Sequence, residues 1–270
     1  MSELSSLSLA TSGFLPWIEI GAIRIQSYFV VISIVLSAIA FWIPKRAASL
    51  DFSPRRALDL YIAAMISGFV GARLFHVVWE EPSYYLENPV LVFDILSGGF
   101  VWYGGAIGGM VGLYLMLRRE RPSSFGGWMD VFAPIGAVGY GAGRIACLLT
   151  GCCYGAVCEL PHWLHSHAEV PFRFLLPTQL FSIAWEFGAA YVLHRAEGRR
   201  WKKGRQPGQL FSLWLVLHGV GRLLMELMRA DPRGPSPFGV TVSMVMSLIL
   251  ILIGTLYLRS PNWISKLSAK

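Results

Sequence analysis

The chain has 270 residues, of which 54% are hydrophobic and 14% charged, and it carries a formal net charge of +7. Its mean hydropathy of +0.53 excludes an ordinary soluble domain, and its apolar runs are long enough to cross a bilayer. The positive charge does not indicate a nucleic-acid partner, because in a membrane protein the position of the basic residues matters more than their sum.

Seven apolar segments follow one another along the chain, each near the ~20 residues that a transmembrane helix needs. They are Ile25–Ile43, Leu58–Val78, Phe100–Leu117, Val131–Thr150, Pro177–Leu193, Leu210–Leu227 and Phe238–Leu258. The sequence therefore predicts an all-α, polytopic membrane protein with about seven transmembrane helices. We expect a single integral-membrane domain over residues 1–270.

The basic residues are distributed unevenly between the two sides that these spans define. Sixteen of them lie in the loops 44–57, 118–130 and 194–209 and in the C-terminal tail, against four on the opposite side. Because basic residues favour the cytoplasmic side, the N-terminus is predicted to lie outside and the C-terminus in the cytoplasm. The loops 79–99 and 151–176 then face outward.

Cysteine and histidine are concentrated around the second of these outer loops. Cys147, Cys152, Cys153 and Cys158 are followed by His162, His165 and His167. Such residues can bind zinc or copper, but convincing ligand spacing is lacking, so we predict neither a metal nor a cofactor. A disulfide from Cys158 to Cys152 or Cys153 is possible at an outer face, and buried free thiols are the alternative.

One arginine, Arg144, interrupts the fourth apolar segment within GYGAGRIACLLTGCCYG, residues 139–155. A charged side chain in hydrocarbon is costly, so it should face a polar cavity or a partner. In the sixth segment His218, Arg222, Glu226 and Arg229 share one helical face. For Arg144, the alternative is a side chain that extends to the membrane interface. For the charged face of the sixth segment, it is an internal salt bridge that only orients helices. The functional interpretation is a basic cavity for an anionic group, in which Glu226 holds an arginine in place.

The predicted topology brings these groups to one depth. Arg144 falls in the outer half of its span, and the sixth span climbs toward the same surface. Tyr103, Gly104 and Gly105 fall at the outer mouth of the third span. Because a guanidinium donates two parallel hydrogen bonds to phosphate, the sequence indicates a pocket for a phospholipid head group at the outer leaflet.

Four motifs resemble, in order, those of the prolipoprotein diacylglyceryl transferase family. SGGFVWYGGAIGG resembles that family's Gly-Gly…His-Gly-Gly-Leu-Ile-Gly stretch, and GRIACLLTGCCYG resembles its GRxGNFxNGExxG signature. LPTQLFSIAWE is similar to its HPSQLYE region, and HGVGRLLMELMRADP to its Arg-x-x-x-Glu-x-x-Arg element. Tyr28 falls where the family has a tyrosine in the first span. The resemblance covers residues 14 to 258.

This resemblance implies an enzyme of the bacterial inner membrane with its active site facing the outer leaflet. The family transfers the diacylglyceryl group of phosphatidylglycerol to the lipobox cysteine of a prolipoprotein signal peptide and releases glycerol phosphate. Phosphatidylglycerol, that peptide and membrane lipids are thus the expected partners, without nucleic acid. On matching positions, Arg144 and Arg222 bind the phosphate and stabilise its charge. The expected substrate-binding residues are Tyr28, Gly104, Gly105, Cys147, Gly155, Gln179, Glu226 and Arg229.

The chain departs from the family pattern at five positions. Tyr103 replaces a histidine, Cys147 an asparagine, Cys152 a glutamate, His218 a tyrosine and Leu176 a histidine. Together with Arg144 and Arg222, Tyr103 and His218 are the expected catalytic residues. The alternatives for the base are His218, His76 and Tyr103. Another alternative is that Arg144 and Arg222 activate the acceptor thiol through their charge, without a base. A lipid transferase with a different donor or acceptor, or a non-catalytic phospholipid-binding or transport protein, remains an alternative function.

Overall fold

The structure is a computed structural model that describes residues 15–21, 23–94, 99–118, 122–156, 175–200, 206–230 and 239–259. Most of these residues are helical. The α-helices are α1 (Ser27–Ser49), α2 (Pro54–Phe75), α3 (Pro82–Glu87), α4 (Trp102–Leu117), α5 (Pro122–Thr150), α6 (Thr178–Arg200), α7 (Gln209–Met228) and α8 (Val242–Arg259). One π-helical turn, His76–Glu80, extends α2, and a 3-10 helix covers Pro89–Phe93.

Each of the seven predicted spans overlaps one of these helices. Among the described residues, five helical stretches are long and apolar enough to cross a membrane: Ser27–Ser49, Pro54–Glu80, Phe125–Thr150, Gln209–Met228 and Val242–Arg259. Helix α4 is apolar but shorter, and α6 is more polar because it carries charged residues toward its C-terminal end. The helical membrane-protein class is therefore confirmed. The count of seven spans and the orientation of the termini stay predictions.

A short antiparallel hairpin precedes α1, and the prediction of an all-helical chain missed it. Strand β1 (Trp17–Ile20) pairs with β2 (Ile23–Gln26), and Glu19 lies opposite Arg24. The hairpin takes up the first residues of the predicted span Ile25–Ile43, so α1 begins two residues later. The apolar and polar residues alternate in WIEIGAIRIQ, which is the period of a strand and not of a helix.

The chain divides into two compact units, and each has its own packing. The first comprises Met1–Ile39 and Phe132–Lys270, and the second comprises Ala40–Val131. In the second unit, α2 and α4 approach closely through glycines. A Cβ on Gly71 would lie 2.5 Å from the Gly104 carbonyl oxygen. Small residues at such crossings let two membrane helices approach closely, and this allows van der Waals packing between their backbones.

In the first unit, α7 packs against both α6 and α8. Trp185 of α6 donates a hydrogen bond from Nε1 to the Leu217 carbonyl oxygen at 2.8 Å, and its indole occupies the space left by Gly221. On the other side, a Cβ on Gly254 of α8 would lie 2.6 Å from the Ser212 carbonyl oxygen. These contacts fix the rotation of α7, and the rotation determines where its charged side chains point.

Candidate active site

Arg144 lies near the C-terminal end of α5, and its partners are uncharged or weakly acidic. Its Nη2 donates a hydrogen bond to the hydroxyl of Tyr140, one helical turn earlier. Its Nη1 lies 3.9 Å from the sulfur of Cys147 and 3.7 Å from that of Cys153. Within the described part of the chain, no carboxylate forms an ion pair with Arg144. Its charge is therefore available to an anionic ligand.

Three thiols gather beside this arginine. The sulfur atoms of Cys147, Cys152 and Cys153 all lie within 4.8 Å of one another, and all three cysteines are free. The chain reverses after α5 because Gly151 has φ +73° and Cys153 has φ +63°. This left-handed conformation is uncommon for a residue with a side chain and brings Cys152 and Cys153 back beneath Cys147.

The two thiols beyond the helix differ in acidity. Hydrogen bonding with Cys147 and Cys152 lowers the pKa of the Cys153 thiol, and the charges of Arg229 and Arg144 act in the same direction. Hydrogen bonding with Cys147 and Cys153, together with burial, raises the pKa of the Cys152 thiol. A thiolate is the nucleophilic and metal-binding form of cysteine, so Cys153 is the first of the two to take that form.

The segment 151–156, which carries Cys152 and Cys153 and is called the cysteine segment below, is hydrogen-bonded to α6. Gln179 is 1% exposed, and its Nε2 donates a hydrogen bond to the Cys152 carbonyl oxygen at 2.6 Å. Thr178 donates from its hydroxyl to the Cys153 carbonyl oxygen. Gln179 therefore holds the backbone of the cysteine segment, while its Oε1 accepts no hydrogen bond within the described residues. The substrate-lining role predicted for Gln179 stays a prediction.

Gly155 joins the same segment to the end of α7. It forms an antiparallel bridge with Arg229, and its amide donates to the Leu176 carbonyl oxygen at 2.9 Å. A Cβ at Gly155 would lie 2.8 Å from the Met228 carbonyl oxygen and from side-chain carbons of Leu176 and Thr178. Close backbone approach thus explains the glycine. The structure brings Gly155 and Arg229 together, although they are far apart in sequence.

The charged face of α7 is arranged as the helical spacing predicts. Glu226 Oε2 lies 2.8 Å from Nη2 of Arg222 and 3.8 Å from Nη1 of Arg229. Thr241 donates a hydrogen bond to the other carboxylate oxygen, Oε1, at 2.8 Å. The Glu226 carboxylate is fully buried, whereas the side chains of Arg222 and Arg229 are 15% and 10% exposed. One buried carboxylate thus holds two guanidinium groups, and the three side chains together carry one net positive charge.

His218 has a carboxylate partner on another helix. Its Nδ1 lies 2.6 Å from Oε1 of Glu186 on α6, and both side chains are buried. Trp214 donates from Nε1 to the other oxygen of Glu186 at 3.4 Å. A carboxylate at one ring nitrogen fixes the orientation of an imidazole. The spacing within α7 had placed His218 with Arg222, and only the structure reveals Glu186 as its partner.

Tyr140 links the two halves of this arrangement. Its ring meets the His218 ring edge to face, with centroids 4.6 Å apart, while its hydroxyl accepts from Arg144. Tyr140 also lines a small cavity together with Arg222. The other lining residues are Ser182, Trp185, Glu186, Gly221 and Met225. Sequence reasoning did not single out Tyr140, although its position four residues before Arg144 was a usable signal.

The remaining site predictions fall in different parts of the structure. Tyr28 lies at the start of α1 and belongs to the first unit, as do Arg144 and Cys147. Tyr103, Gly104 and Gly105 belong to the second unit, where Gly104 is buried against α2 and Tyr103 packs on Trp102 with ring centroids 5.3 Å apart. Cys158 and the histidines 162, 165 and 167 lie outside the described residues.

Two polar side chains in the second unit have structural partners. His76 Nδ1 lies 2.8 Å from Oε2 of Glu80, one turn later. Arg73 is 6% exposed and donates hydrogen bonds to four carbonyl oxygens between residues 91 and 99. Arg73 thus anchors the segment that precedes α4.

Comparison with known proteins agrees with the sequence motifs. The profile of the family described as Prolipoprotein diacylglyceryl transferase matches residues 16–259. The chain is 31% identical over 247 residues to the phosphatidylglycerol–prolipoprotein diacylglyceryl transferase of Clostridium tetani, which covers 87% of this chain and 93% of the relative. It is 30% identical over 257 residues to the phosphatidylglycerol–prolipoprotein diacylglyceryl transferase 2 of Clostridium perfringens. That match covers 90% of this chain and 93% of the relative. The chain therefore belongs to the prolipoprotein diacylglyceryl transferase family.

Proposed function

We propose that this chain transfers the diacylglyceryl group of phosphatidylglycerol to the lipobox cysteine of a prolipoprotein. The names of its relatives give the donor and the acceptor class. The observation that carries the proposal is Arg144, a guanidinium among apolar helices that has no carboxylate partner within the described residues. Such an arginine is suited to an anionic ligand such as the phosphate of a lipid head group.

The chemistry of this transfer places a clear demand on the site. The acceptor sulfur attacks the glyceryl carbon that bears the phosphate, a carbon–sulfur bond forms, and the carbon–oxygen bond to phosphate breaks. A phosphodiester with one negative charge thereby becomes a departing monoester with two. Positive groups placed where this charge develops lower the barrier, because they stabilise the transition state more than the bound lipid.

Arg144 and Arg222 are the groups that we assign to this task. Arg222 is held by the buried carboxylate of Glu226 and lines the same cavity as Tyr140, the partner of Arg144. Arg229, the second arginine on Glu226, also raises the positive charge beside the cysteine segment. A fixed array of this kind costs little reorganisation when the leaving group takes up charge.

His218 is the described residue best arranged to accept a proton in the first unit. Glu186 binds its Nδ1, and a carboxylate in this position stabilises the imidazolium that forms when the ring takes a proton. Tyr103, which stands at the family's histidine position, belongs to the second unit. We assign the base to His218 because its imidazole is buried and held by the carboxylate of Glu186.

We also propose that the site opens to the outer leaflet, where secreted prolipoproteins emerge. The uneven distribution of basic residues supports this orientation. Helices α5 and α7 both run outward in that topology, and the bridge between Gly155 and Arg229 joins the segments that follow them. A fluorescent protein fused to the C-terminus should fold and fluoresce in the cytoplasm, and a dark fusion with normal expression would reverse the assignment.

The direct test is a reconstituted assay with phosphatidylglycerol and a lipobox peptide. We expect release of glycerol phosphate in proportion to peptide that gains the mass of a diacylglyceryl group. Arg144→Ala and Arg222→Ala should each reduce the rate by about 10²–10³-fold, as removal of one oxyanion-stabilising donor does in other enzymes. A peptide with serine in place of the lipobox cysteine is the acceptor control.

Three other results would replace the proposal. Lipid binding without glycerol phosphate release indicates a binding protein. Release with a different lipid or a different thiol acceptor indicates a related transferase, and the cysteines at positions 147 and 152 are the departures that favour testing other substrates. Flux of lipid across a sealed vesicle without any mass change in the peptide indicates transport.

A further inference from the structure

We propose that Cys147, Cys152 and Cys153 bind one zinc ion, and that the open fourth position of this ion receives the thiol of the acceptor cysteine. The inference rests on the proposed transferase function and adds the way in which the acceptor becomes a thiolate. The sequence alone predicts no metal, because the cysteine spacing lacks a familiar zinc pattern. The structure adds the spatial arrangement of the three sulfurs.

The geometry of the three sulfur atoms suits one ion. With zinc–sulfur bonds of about 2.3 Å, two ligands of a tetrahedral zinc site lie about 3.8 Å apart. The sulfurs of Cys147, Cys152 and Cys153 all lie within 4.8 Å of one another. Each pair therefore needs to close by about 1 Å at most to reach zinc–thiolate geometry, which small rotations of the cysteine side chains provide.

Polar side chains also lie beside each of the three sulfurs. Arg144 Nη1 approaches the sulfurs of Cys147 and Cys153, at 3.9 and 3.7 Å. The hydroxyl of Thr150, which donates to the Ala146 carbonyl oxygen at 2.9 Å, lies 3.6 Å from the sulfur of Cys152. Metal-bound ligands in proteins are oriented by such outer partners, and a thiolate accepts these hydrogen bonds more strongly than a neutral thiol does.

The backbone that presents two of the ligands is fixed from α6. Gln179 binds the carbonyl oxygen of Cys152 at 2.6 Å, and Thr178 binds that of Cys153. The amide of Cys152 donates in turn to the carbonyl oxygen of Cys147 at 3.1 Å. Three sulfurs held in this way form a preorganised site, whereas cysteines on a mobile segment would first have to be ordered by the metal.

The charges balance when zinc is bound. Three thiolates and one Zn²⁺ ion carry a net charge of −1. Arg144, which contacts two of the sulfurs, and the group of Arg222, Glu226 and Arg229 together carry +2, so one positive charge remains for the phosphodiester of the bound lipid. Three thiolates without a metal would leave two negative charges beside Arg144, in surroundings where uncompensated charge is costly. A doubly charged thiophilic ion is therefore the ligand that this set of groups fits best.

Zinc sites with three protein ligands keep a fourth position for water or substrate. A thiol that binds there loses its proton to water, because coordination to zinc deprotonates it at neutral pH. The bound sulfur keeps a lone pair, attacks the glyceryl carbon, and the carbon–oxygen electrons leave with glycerol phosphate. The product is a neutral thioether, a weaker ligand that the next acceptor thiol displaces. Water passes this proton to His218, the base assigned above, whose imidazole is held by Glu186.

The test uses the purified full chain in detergent, with metal content and optical spectra as readouts besides activity. We expect one zinc per chain, and one Co²⁺ after exchange with thiolate-to-cobalt absorption. Cys147→Ser, Cys152→Ser and Cys153→Ser should each reduce metal content by at least about tenfold at limiting metal, since loss of one ligand weakens a three-ligand site strongly. Cys158→Ser is the matched control and should keep the metal. The thermal midpoint of each variant shows whether it is folded.

Addition of the acceptor peptide tests the open position. The visible bands of the cobalt protein should shift with a peptide that contains cysteine and stay unchanged with the serine peptide. Removal of zinc should reduce transfer by about 10²–10⁴-fold, the usual contribution of a positioned base. Metal retention and a spectral shift without transfer would uphold the site and overturn the proposed function.

Three results would overturn the zinc proposal. The first is full transfer by protein that contains no metal. The second is failure of the folded, reduced protein to retain zinc or cobalt. The third is a cobalt spectrum of four thiolates that the peptide does not change, because this would show a closed structural site completed by Cys158. The transferase function stands in each of these cases if the reconstituted assay shows transfer.

Discussion

Arg144 donates a hydrogen bond to the hydroxyl of Tyr140, and its guanidinium carbon lies 4.6 Å from the centre of the same ring. The two residues are one turn apart on α5, so the contact is set by the helix itself. Tyr140 is also in edge-to-face contact with His218. It therefore positions the arginine that we assign to the phosphate and packs against the histidine that we assign to the proton.

Tyr140→Phe removes the hydroxyl and keeps the ring. We expect kcat/KM to fall about 10- to 100-fold, since a hydrogen bond to a charged group contributes about 1.5–3 kcal/mol, while the thermal midpoint changes little. Initial rates with phosphatidylglycerol and the lipobox peptide measure this effect. Tyr191→Phe, on a side chain of α6 that is 64% exposed, is the matched control. Equal rates for the two variants would show that Tyr140 does not position Arg144.

Glu226→Gln tests the carboxylate that holds two arginines. The substitution preserves shape but removes the charge from a fully buried group that binds Arg222 and Arg229. Loss of one partner of a buried ion pair typically costs about 3–5 kcal/mol, so we expect a clear fall in the thermal midpoint together with loss of transfer.

The control for this change is Glu19→Gln in the hairpin. Glu19 and Arg24 form an ion pair at 3.6 Å, but their side chains are 71% and 61% exposed. Exposed pairs contribute little, so neither stability nor rate should change. If Glu226→Gln also leaves both unchanged, then the buried carboxylate neither stabilises α7 nor positions Arg222.

The contacts of Glu226 and of His218 show what could be predicted from the sequence and what could not. The spacing of Arg222, Glu226 and Arg229 fixes their common face, because 3.6 residues per turn determine it before any tertiary contact forms. The partner of His218 could not be derived in this way. Glu186 lies on another helix, and which residues meet depends on the rotation and register at which α6 and α7 pack.

The cysteine cluster illustrates the same limit. Cys147 lies at the end of α5, and no helical or strand period extends to Cys152 and Cys153 beyond it. Their return toward Cys147 depends on positive φ at Gly151 and Cys153 and on the hydrogen bonds from α6. The glycine was a visible turn signal, but an αL cysteine was not, because its conformation is imposed by tertiary contacts.

Gly155→Ala tests the connection between the cysteine segment and α7. The added Cβ would meet the Met228 carbonyl oxygen and two side-chain carbons, each at 2.8 Å. Overpacking of this kind costs about 1–3 kcal/mol, so we expect a lower thermal midpoint and weaker metal retention by the cysteines. Gly188→Ala is the control, because an added Cβ there meets nothing within 4 Å. Similar midpoints for the two variants would contradict the close approach at Gly155.

Gly104 and Gly105 are neighbours on α4 that the sequence assigned to the same substrate-binding role, yet their packing separates them. A Cβ on Gly104 would overlap the Gly71 carbonyl oxygen and the Phe75 side chain on α2. A Cβ on Gly105 would make ordinary contacts of 3.5 Å with Ala72 and with the Gly68 carbonyl oxygen. Alanine is the better helix former, so only the first substitution should disturb the helix pair.

We therefore expect Gly104→Ala to lower the thermal midpoint, whereas Gly105→Ala should leave it unchanged or slightly raised. If Gly105 borders the bound lipid, Gly105→Ala will raise the KM for phosphatidylglycerol in a protein of normal stability. Transfer kinetics and thermal unfolding, measured on both variants, separate the two roles. An unchanged KM for Gly105→Ala would remove that residue from the substrate site, and an unchanged midpoint for Gly104→Ala would contradict the close crossing of α2 and α4.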